Sequence, residues 1–303
     1  AGLVSAYGLQ WAPDERWTLG VTAEKGRLEL ENAGELKREA LGMTVGYVRD
    51  GLRYTGGAET RRDASGLETR RSWLLKNAFT LRNGTDGRWL GKLNWADSDS
   101  STGALAAAKY TEAMLGYAWR PVANDRLNVL AKYTWLHDLS SPGQLSPSSA
   151  TAAGTTGPVT SIGTLPVATG YGVDYQQRSQ VVAVDLTYDL SARWSVGGKL
   201  ARRVGELRSS RDDSAAWFKS TADLAILRVD WKVVRQWDWL VELRTLRAAE
   251  LSERKSGFLT AGYYHVNENL KVGVGYNFTD FSDNLTDLSY RSRGVFLNVL
   301  GKF

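Results

Sequence analysis

The stretch LNVLAKYTW at residues 127–135 decides the fold class, because its apolar and polar side chains alternate along the chain. Every odd-numbered residue from Leu127 to Trp135 is apolar, whereas Asn128, Lys132 and Thr134 occupy even-numbered positions. Successive side chains of an extended strand point to opposite faces of a sheet. The stretch is therefore predicted to be a β-strand with one apolar face and one polar face.

The same period of two recurs along the rest of the chain, and apolar stripes of helix length and helix period are nearly missing. The pattern predicts an all-β chain with strands of roughly nine to thirteen residues, longer than the five or six that are typical of globular sheets. The further alternating stretches are Trp17–Ala23, Leu41–Tyr47, Trp89–Trp95, Val182–Tyr188, Trp194–Leu200, Ala225–Trp231, Trp239–Leu243, Val272–Phe278 and Val295–Phe303.

Composition excludes several classes of protein. The hydrophobic share of 43% includes no apolar run long enough for a transmembrane helix, and 12 Trp with 13 Tyr are too many for a disordered chain. The absence of Cys and the presence of only two His exclude thiolate metal sites, a cysteine nucleophile and most zinc or triad chemistry. The 38 basic and 33 acidic residues are interspersed, so neither a nucleic-acid partner nor a cofactor is predicted.

Short and long connections alternate between the predicted strands. Short turns at one rim and long polar loops at the other are typical of a transmembrane antiparallel up-and-down β-barrel of the bacterial outer membrane, with short periplasmic turns and long extracellular loops. The short turns are expected at 13–16, 49–51, 83–87, 122–126, 190–193, 235–238 and 267–270, and the long loops at 26–38, 57–71, 97–109, 139–177, 205–219, 248–256 and 279–291.

A soluble propeller or sandwich also has alternating strands, and the pattern alone does not tell whether the apolar face meets a core or lipid. The predicted strand length and the strict alternation of loops favour the membrane barrel. So does the closing strand, which ends on the aromatic Phe303 and resembles the C-terminal signal that the outer-membrane insertion machinery recognises.

We count about fifteen strands, within a range of 14–16, and bacterial single-chain barrels have even numbers of strands. Sixteen is favoured for the complete barrel, unless one long loop hides or mimics a strand. If the short turns are periplasmic, the first strand runs inward from the cell exterior, and its partner precedes Ala1. Residues 1–303 are thus expected to be a single outer-membrane β-barrel domain and the C-terminal part of a longer precursor.

Several stretches resemble the C-terminal barrel domain of large multidomain surface proteins of Gram-negative bacteria, which often carry extracellular repeats ahead of the barrel. The resemblance is good over roughly the last two hundred residues and is one of pattern only over the first hundred, with NFTDFSDNLTDL as its most specific motif. It implies membrane anchoring and provides no catalytic residues. The stretches are 119–139, 188–203, 216–231, 272–290 and 294–303.

Ionisable residues on the polar face are predicted to line a lumen wide enough for water. They form either a weakly anion-selective wall or a ladder of cross-strand ion pairs, and the alternating signs on neighbouring strands favour the ladder. The residues are Lys76, Lys92, Glu112, Lys132, Asp185, Lys199, Arg203, Arg228, Asp230, Glu242 and Arg244.

Tryptophans beside the short turns are predicted to form an interfacial aromatic girdle: Trp11, Trp17, Trp89, Trp119, Trp194, Trp237 and Trp239. His265, beside a short turn, is assigned to the same girdle. The loop at residues 140–175 is rich in Ser, Thr, Gly, Ala and Pro, and it is predicted to be a flexible loop rather than a constriction because Asp174 is its only carboxylate.

Two weak candidate sites remain. The NFTDFSDNLTDL motif is predicted to be a surface loop, in which Asp280, Asp283 and Asp287 are either Ca²⁺ ligands or ordinary turn formers. His137 and Asp138 are adjacent, so their side chains point to opposite faces of the strand and form no catalytic pair.

These observations predict a protein of the bacterial outer membrane, with its C-terminus in the periplasm, that anchors a larger surface or envelope assembly and provides a conduit for it. The alternative is a free-standing diffusion porin with a weak anion preference, and an outer-membrane enzyme is the least favoured class. The expected partners are outer-membrane lipid and lipopolysaccharide, the insertion machinery, and an upstream domain or an envelope protein.

Overall fold

The computed structural model describes residues 2–301 except 31–33, 65–68, 102–108, 140–175, 209–214, 235, 251, 268, 280, 282–284 and 286–292. The described part of the chain contains no helix that is long and apolar enough to cross a membrane. Its strands are β1 (Gly2–Trp11), β2 (Trp17–Leu30), β3 (Gly34–Arg49), β4 (Leu52–Ala64), β5 (Thr69–Asn83), β6 (Gly87–Ser100), β7 (Lys109–Trp119), β8 (Leu127–Leu139), β9 (Gln176–Asp189), β10 (Trp194–Arg208), β11 (Phe218–Val234), β12 (Trp237–Ala248), β13 (Glu253–His265), β14 (Leu270–Asn277) and β15 (Gly294–Gly301).

The fifteen strands form one antiparallel meander in which each strand pairs with its neighbours in sequence, from β1 to β15. This confirms the all-β, up-and-down prediction and the count of about fifteen strands. The number of strands in a complete barrel stays a prediction, because β1 and β15 are the two ends of the strand order among the described residues.

The short turns lie where the sequence predicts them, but the strands extend further into several predicted long loops. The expected loop at 26–38 is a hairpin in which β2 continues to Leu30 and β3 begins at Gly34. The expected loops at 57–71 and 205–219 shorten in the same way, because β4 runs to Ala64 and β10 to Arg208. In β4, positions 59–63 are polar on both faces, whereas in β2 the odd-numbered positions change from apolar, as in Trp17 and Val21, to charged, as in Arg27 and Glu29. The apolar stripe that marks a membrane strand therefore ends although backbone pairing continues.

The two faces of the sheet have opposite chemistry, and the polar face is the buried one. On β10, Leu200 and Val204 are 67% and 55% exposed, whereas Arg203 on the other face is 3% exposed. On β12, Glu242 is buried while Leu243 beside it is exposed. We name the face of Arg203 and Glu242 the inner face and that of Leu200 and Leu243 the outer face.

This arrangement reverses that of a soluble sandwich, whose apolar faces pack on each other. Large apolar side chains are exposed on the outer faces of strands from β1 to β15. Long strands with apolar outer faces and polar inner faces are typical of outer-membrane barrels. The structure thus shows which face of the alternating strands is buried, the point that sequence alternation left open.

Candidate functional site: the inner face

All eleven ionisable residues predicted to line the lumen lie on the inner face, half-buried or buried. Glu242 is the most buried of them, at 1% exposure. Its carboxylate accepts hydrogen bonds from Arg228 Nε at 2.6 Å and from Arg244 Nε at 2.8 Å. Arg228 lies directly opposite Glu242 on β11, and Arg244 is two residues along β12. The pairing register therefore places one carboxylate between two guanidinium groups.

A second carboxylate, Glu112 on β7, is surrounded in a similar way. Lys92 Nζ lies 2.8 Å from Glu112 Oε2, and the same oxygen accepts hydrogen bonds from Asn94 Nδ2 at 3.1 Å and from the Tyr110 hydroxyl at 3.0 Å. Asn94 is the direct cross-strand partner of Glu112. A more exposed pair, Lys132 and Asp185, has a separation of 4.0 Å.

Sequence analysis missed a buried row of charges near the long-loop rim. Arg38, Asp63 and Arg70 are directly opposite one another on β3, β4 and β5. Arg38 Nε donates to Asp63 Oδ1 at 2.8 Å, and an Arg70 guanidinium nitrogen lies 3.6 Å from Asp63 Oδ2. The side chains of Arg38 and Asp63 are 9% and 7% exposed. They were missed because residues 26–38 and 57–71 were assigned to loops, whose pairing register is not defined.

These contacts favour the ladder of cross-strand ion pairs over an open selectivity wall. Glu242, Glu112 and Asp63 each neutralise basic groups on their own strand or on adjacent strands. A charge that is paired at 2.6–2.8 Å attracts a passing ion less than an unpaired one does. At these positions the inner-face charges are therefore paired with one another.

His265 lies on the inner face near the short-turn rim, and its assignment to the outer girdle was wrong. Its Nε2 is 2.7 Å from Asp238 Oδ2, and Lys271 Nζ is 2.5 Å from the same oxygen. Lys271 also lies 4.5 Å from the centre of the Tyr263 ring. Residue parity along β13 decides this placement, because His265 is two residues from the buried Tyr263, while Tyr264 faces outward.

The chain that follows β14 turns inward. Asn277 Oδ1 accepts hydrogen bonds from the backbone N–H of Thr279 at 3.0 Å and from its hydroxyl at 2.5 Å. Thr279 is 1% exposed, and Phe281 and Leu285 are also buried. The prediction of a surface loop is therefore wrong for these described residues.

Phe281 and Leu285 join an apolar cluster on the inner faces of strands that are distant from β14 in the sheet order. The other buried members of the cluster are Val181, Ala183, Ala201, Leu224 and Ile226 on β9, β10 and β11. Two residues of the β14–β15 connection thus cover an apolar patch of the inner wall. We name Thr279, Phe281 and Leu285 the inner segment.

The other predicted residues are placed as follows. Asp280, Asp283 and Asp287 lie outside the described residues, as do the loop 140–175 and Phe303. No group of three or more His, Asp or Glu able to hold a metal ion occurs among the residues that the structure describes. His137 is on the outer face beside Trp135, with its ring centre 6.4 Å from that of the indole.

The seven girdle tryptophans lie on the outer face next to the short turns, each between 38% and 60% exposed. Four of them pack against an aromatic residue directly opposite on the next strand, of which only Trp194 stacks in parallel on its partner. The membrane role of the group stays a prediction. The pairs and their ring separations are Trp17–Tyr47 at 4.5 Å, Trp89–Tyr117 at 4.7 Å, Trp194–Trp231 at 5.2 Å and Trp237–Tyr264 at 5.1 Å.

Comparison with known proteins places this arrangement among outer-membrane barrels. The FrpB iron transporter from Neisseria meningitidis matches with a TM-score of 0.56 and 8% identity, over 91% of this chain and 51% of that one. The ferric yersiniabactin uptake receptor FyuA from Yersinia pestis matches with a TM-score of 0.51 and 9% identity, over 91% and 52%. A bacterial polysaccharide outer membrane secretin matches with a TM-score of 0.50 and 8% identity, over 100% and 91%.

The likeness is one of fold. This chain spans about half the length of FyuA and of FrpB. No protein-family model and no curated protein matches the sequence. The comparisons therefore support the up-and-down strand arrangement of a transmembrane barrel.

Proposed function

We propose that this chain is an outer-membrane β-barrel that anchors a larger surface or envelope assembly and provides a conduit for it. The observation that carries the proposal is the reversal of the two faces, with exposed apolar side chains outside and paired charges inside. Lipid offers no partner to backbone polar groups, so only helices or closed barrels span a membrane. Apolar residues such as Leu200 and Leu243 would then meet lipid, while Glu242 faces the interior.

The polar inner face supports the conduit, and the inner segment is proposed to narrow it. Phe281 and Leu285 pack against the inner faces of β9, β10 and β11 and so occupy part of the interior. The polysaccharide secretin, matched over 91% of its length, supports a conduit rather than an anchor alone. Truncation of a buried Phe or Leu to Ala costs about 2–5 kcal/mol of packing free energy for each residue. The double variant should therefore release the inner segment from the wall.

Planar-bilayer conductance of the refolded chain tests the conduit. The Phe281→Ala/Leu285→Ala variant is expected to conduct more than the unmodified chain. Phe278→Ala is the matched control, because Phe278 belongs to the same connection but stacks on Phe258 at 4.1 Å on the outer face. Absence of conductance in the unmodified chain and in both variants would refute the conduit.

A free-standing porin with weak anion preference is the second candidate, supported by the excess of basic over acidic groups among the predicted lumen residues. Large and steady conductance of the unmodified chain, with no effect of the double variant, would favour the porin. The reversal potential in a salt gradient then measures selectivity, and the paired inner charges predict only a small anion preference.

The direction of β1 determines where an anchored domain ahead of Ala1 would lie. This strand leads into a short turn, so Gly2 lies at the long-loop rim and a preceding domain would emerge there. If the short turns are periplasmic, that rim is at the cell surface. The resemblance to C-terminal barrel domains of multidomain surface proteins supports the same position.

A soluble reporter domain fused ahead of Ala1, behind a secretion signal, tests the anchor. We expect the reporter to stay in the outer-membrane fraction after carbonate washing and to be removed from intact cells by added protease. Retention with full protection from protease would reverse the proposed orientation. Release of the reporter together with the chain would refute anchoring.

A further inference from the structure

A row of charged residues crosses the outer face where β10 to β13 approach the long-loop rim. Arg202 is directly opposite Asp223 on β11, Asp223 is opposite Arg247 on β12, and Arg247 is opposite Arg254 on β13. The three arginines are exposed. Four residues on four consecutive strands therefore form one continuous line, with three positive charges and one negative charge.

An apolar surface adjoins this row on the side of the short turns. Val182, Val184 and Leu200 are 54%, 41% and 67% exposed on the outer face. Together with the charged row they line a groove of about 560 Å³. The groove thus has a cationic end at the rim and an apolar floor along the proposed lipid-facing surface.

The geometry of the arginines leaves their planar donor groups available to an anion. Arg202 Nε is 3.7 Å from Asp223 Oδ1, which is too far for a hydrogen bond, and the Arg202 side chain is 66% exposed. Arg254 Nε makes a long hydrogen bond of 3.3 Å to the Thr245 hydroxyl. Guanidinium groups match phosphate oxygens in bidentate geometry, and one carboxylate does not neutralise three of them.

Another pair of arginines on the outer face shows the contrast. Arg62 and Arg71 are directly opposite on β4 and β5, but Glu39 is the next residue across on one side and Asp99 on the other. Glu39 is also 3.4 Å from Lys25, so that row has two carboxylates for three basic groups, whereas the groove row has one carboxylate for three. The Arg62 and Arg71 pair does not line the groove.

We infer that the groove between β9 and β13 binds an anionic membrane lipid, with a headgroup phosphate on Arg202, Arg247 and Arg254 and an acyl chain along Val184 and Leu200. Charge complementarity and the adjoining apolar floor both select an amphiphile with a phosphate at one end. The inference rests on the chain being a membrane barrel but not on the conduit or the anchor.

Native mass spectrometry of the refolded chain in a non-ionic detergent tests this site. The probes are dioleoyl phosphatidic acid, which carries both a phosphate and acyl chains, diolein, which lacks the phosphate, and inorganic phosphate, which lacks the chains. We expect phosphatidic acid to remain bound, and diolein and inorganic phosphate to be lost. The Arg202→Gln/Arg247→Gln/Arg254→Gln variant should bind phosphatidic acid at least about tenfold more weakly, since charge-assisted hydrogen bonds are removed.

Two variants separate a specific site from general charge and from a free-anion site. Arg62→Gln/Arg71→Gln removes outer-face arginines away from the groove and should leave binding unchanged. Leu200→Ala should weaken phosphatidic acid binding. All the substituted side chains are on the surface, and heat-modified migration on gels checks that each variant is folded.

Equal binding by the unmodified chain and the triple variant would overturn the inference. If the Arg62/Arg71 control lost as much phosphatidic acid binding as the triple variant, nonspecific charge attraction would explain the binding instead. If inorganic phosphate at the same concentration displaced phosphatidic acid, the groove would be a free-anion site. Binding in detergent is measured independently of conductance and of reporter display. A failure of this site and a failure of the proposed function are therefore distinguishable.

Discussion

Replacement of Glu242 by Gln tests whether the inner-face ion pairs stabilise the folded sheet. Glu242 is 1% exposed and accepts hydrogen bonds from Arg228 and Arg244. Removal of one partner from a buried pair costs about 3–5 kcal/mol, because the other charge stays buried without its counter-charge. The pair with Arg244, whose side chain is 9% exposed, is buried, so the cost of its loss falls in that range. Arg228 is 43% exposed, so loss of its pair adds at most about 1 kcal/mol. We therefore expect Glu242→Gln to lower the free energy of unfolding by about 3–5 kcal/mol.

The measurement is urea unfolding of the chain refolded into lipid vesicles, followed by tryptophan fluorescence. Asp185→Asn is the matched control, because Asp185 is 4.0 Å from Lys132 and both side chains are about one-third exposed. That variant should lose no more than about 1 kcal/mol. A second substitution, Arg244→Gln, made in the Glu242→Gln background should restore part of the lost stability, since it removes the buried uncompensated charge. Equal losses below 1 kcal/mol for Glu242→Gln and Asp185→Asn would refute the reasoning, because water would then screen both pairs alike.

Two further substitutions probe packing and pH dependence. Gly91→Ala should cost about 1–3 kcal/mol of unfolding free energy, because its Cβ would lie 1.9 Å from the Phe79 ring, whereas Gly8→Ala, with no atom nearer than 3.7 Å, should be nearly neutral in the same urea assay. Equal stability of the two variants would contradict this. The backbone N–H of Thr221 donates to the Glu250 carboxylate at 2.7 Å in the β12–β13 turn and holds the pKa of Glu250 below its ordinary value. This contact stabilises the fold fully at pH values above the ordinary pKa of Glu, and the stabilisation is lost as pH falls through the lowered pKa. Glu250→Gln should therefore reduce the fall in unfolding free energy at acidic pH. An unchanged fall would refute the assignment.

Alternation in sequence predicted the strands and the short turns because both depend on local chemistry. Turn residues and a period of two are visible in a single segment, as in the stretch that begins at Leu127. The extension of β2 and β3 to Leu30 and Gly34 was not predicted, because the odd-numbered positions of β2 change from apolar to charged at Lys25, which ends the apolar stripe while the backbone still pairs.

The inner-face residues could be named from parity alone, but their contacts could not. Parity places Lys92, Glu112 and Glu242 on the polar face, whereas contact requires the register between strands. A slip of one residue moves every side chain of a strand to the other face. The Arg38–Asp63 pair shows the limit, because both residues fell in segments without a predicted register.

The sequence by itself determined the strand class, the number and rhythm of the hairpins and the composition of the two faces, since each follows from neighbouring residues. Only the tertiary structure decided that the polar face is the buried one, that Phe281 and Leu285 pack across the inner wall, and that three distant arginines form one row on the outer face. The physical reason is that burial depends on what lies across the sheet or beyond a loop. An alternating strand has the same pattern whichever of its faces is turned to water.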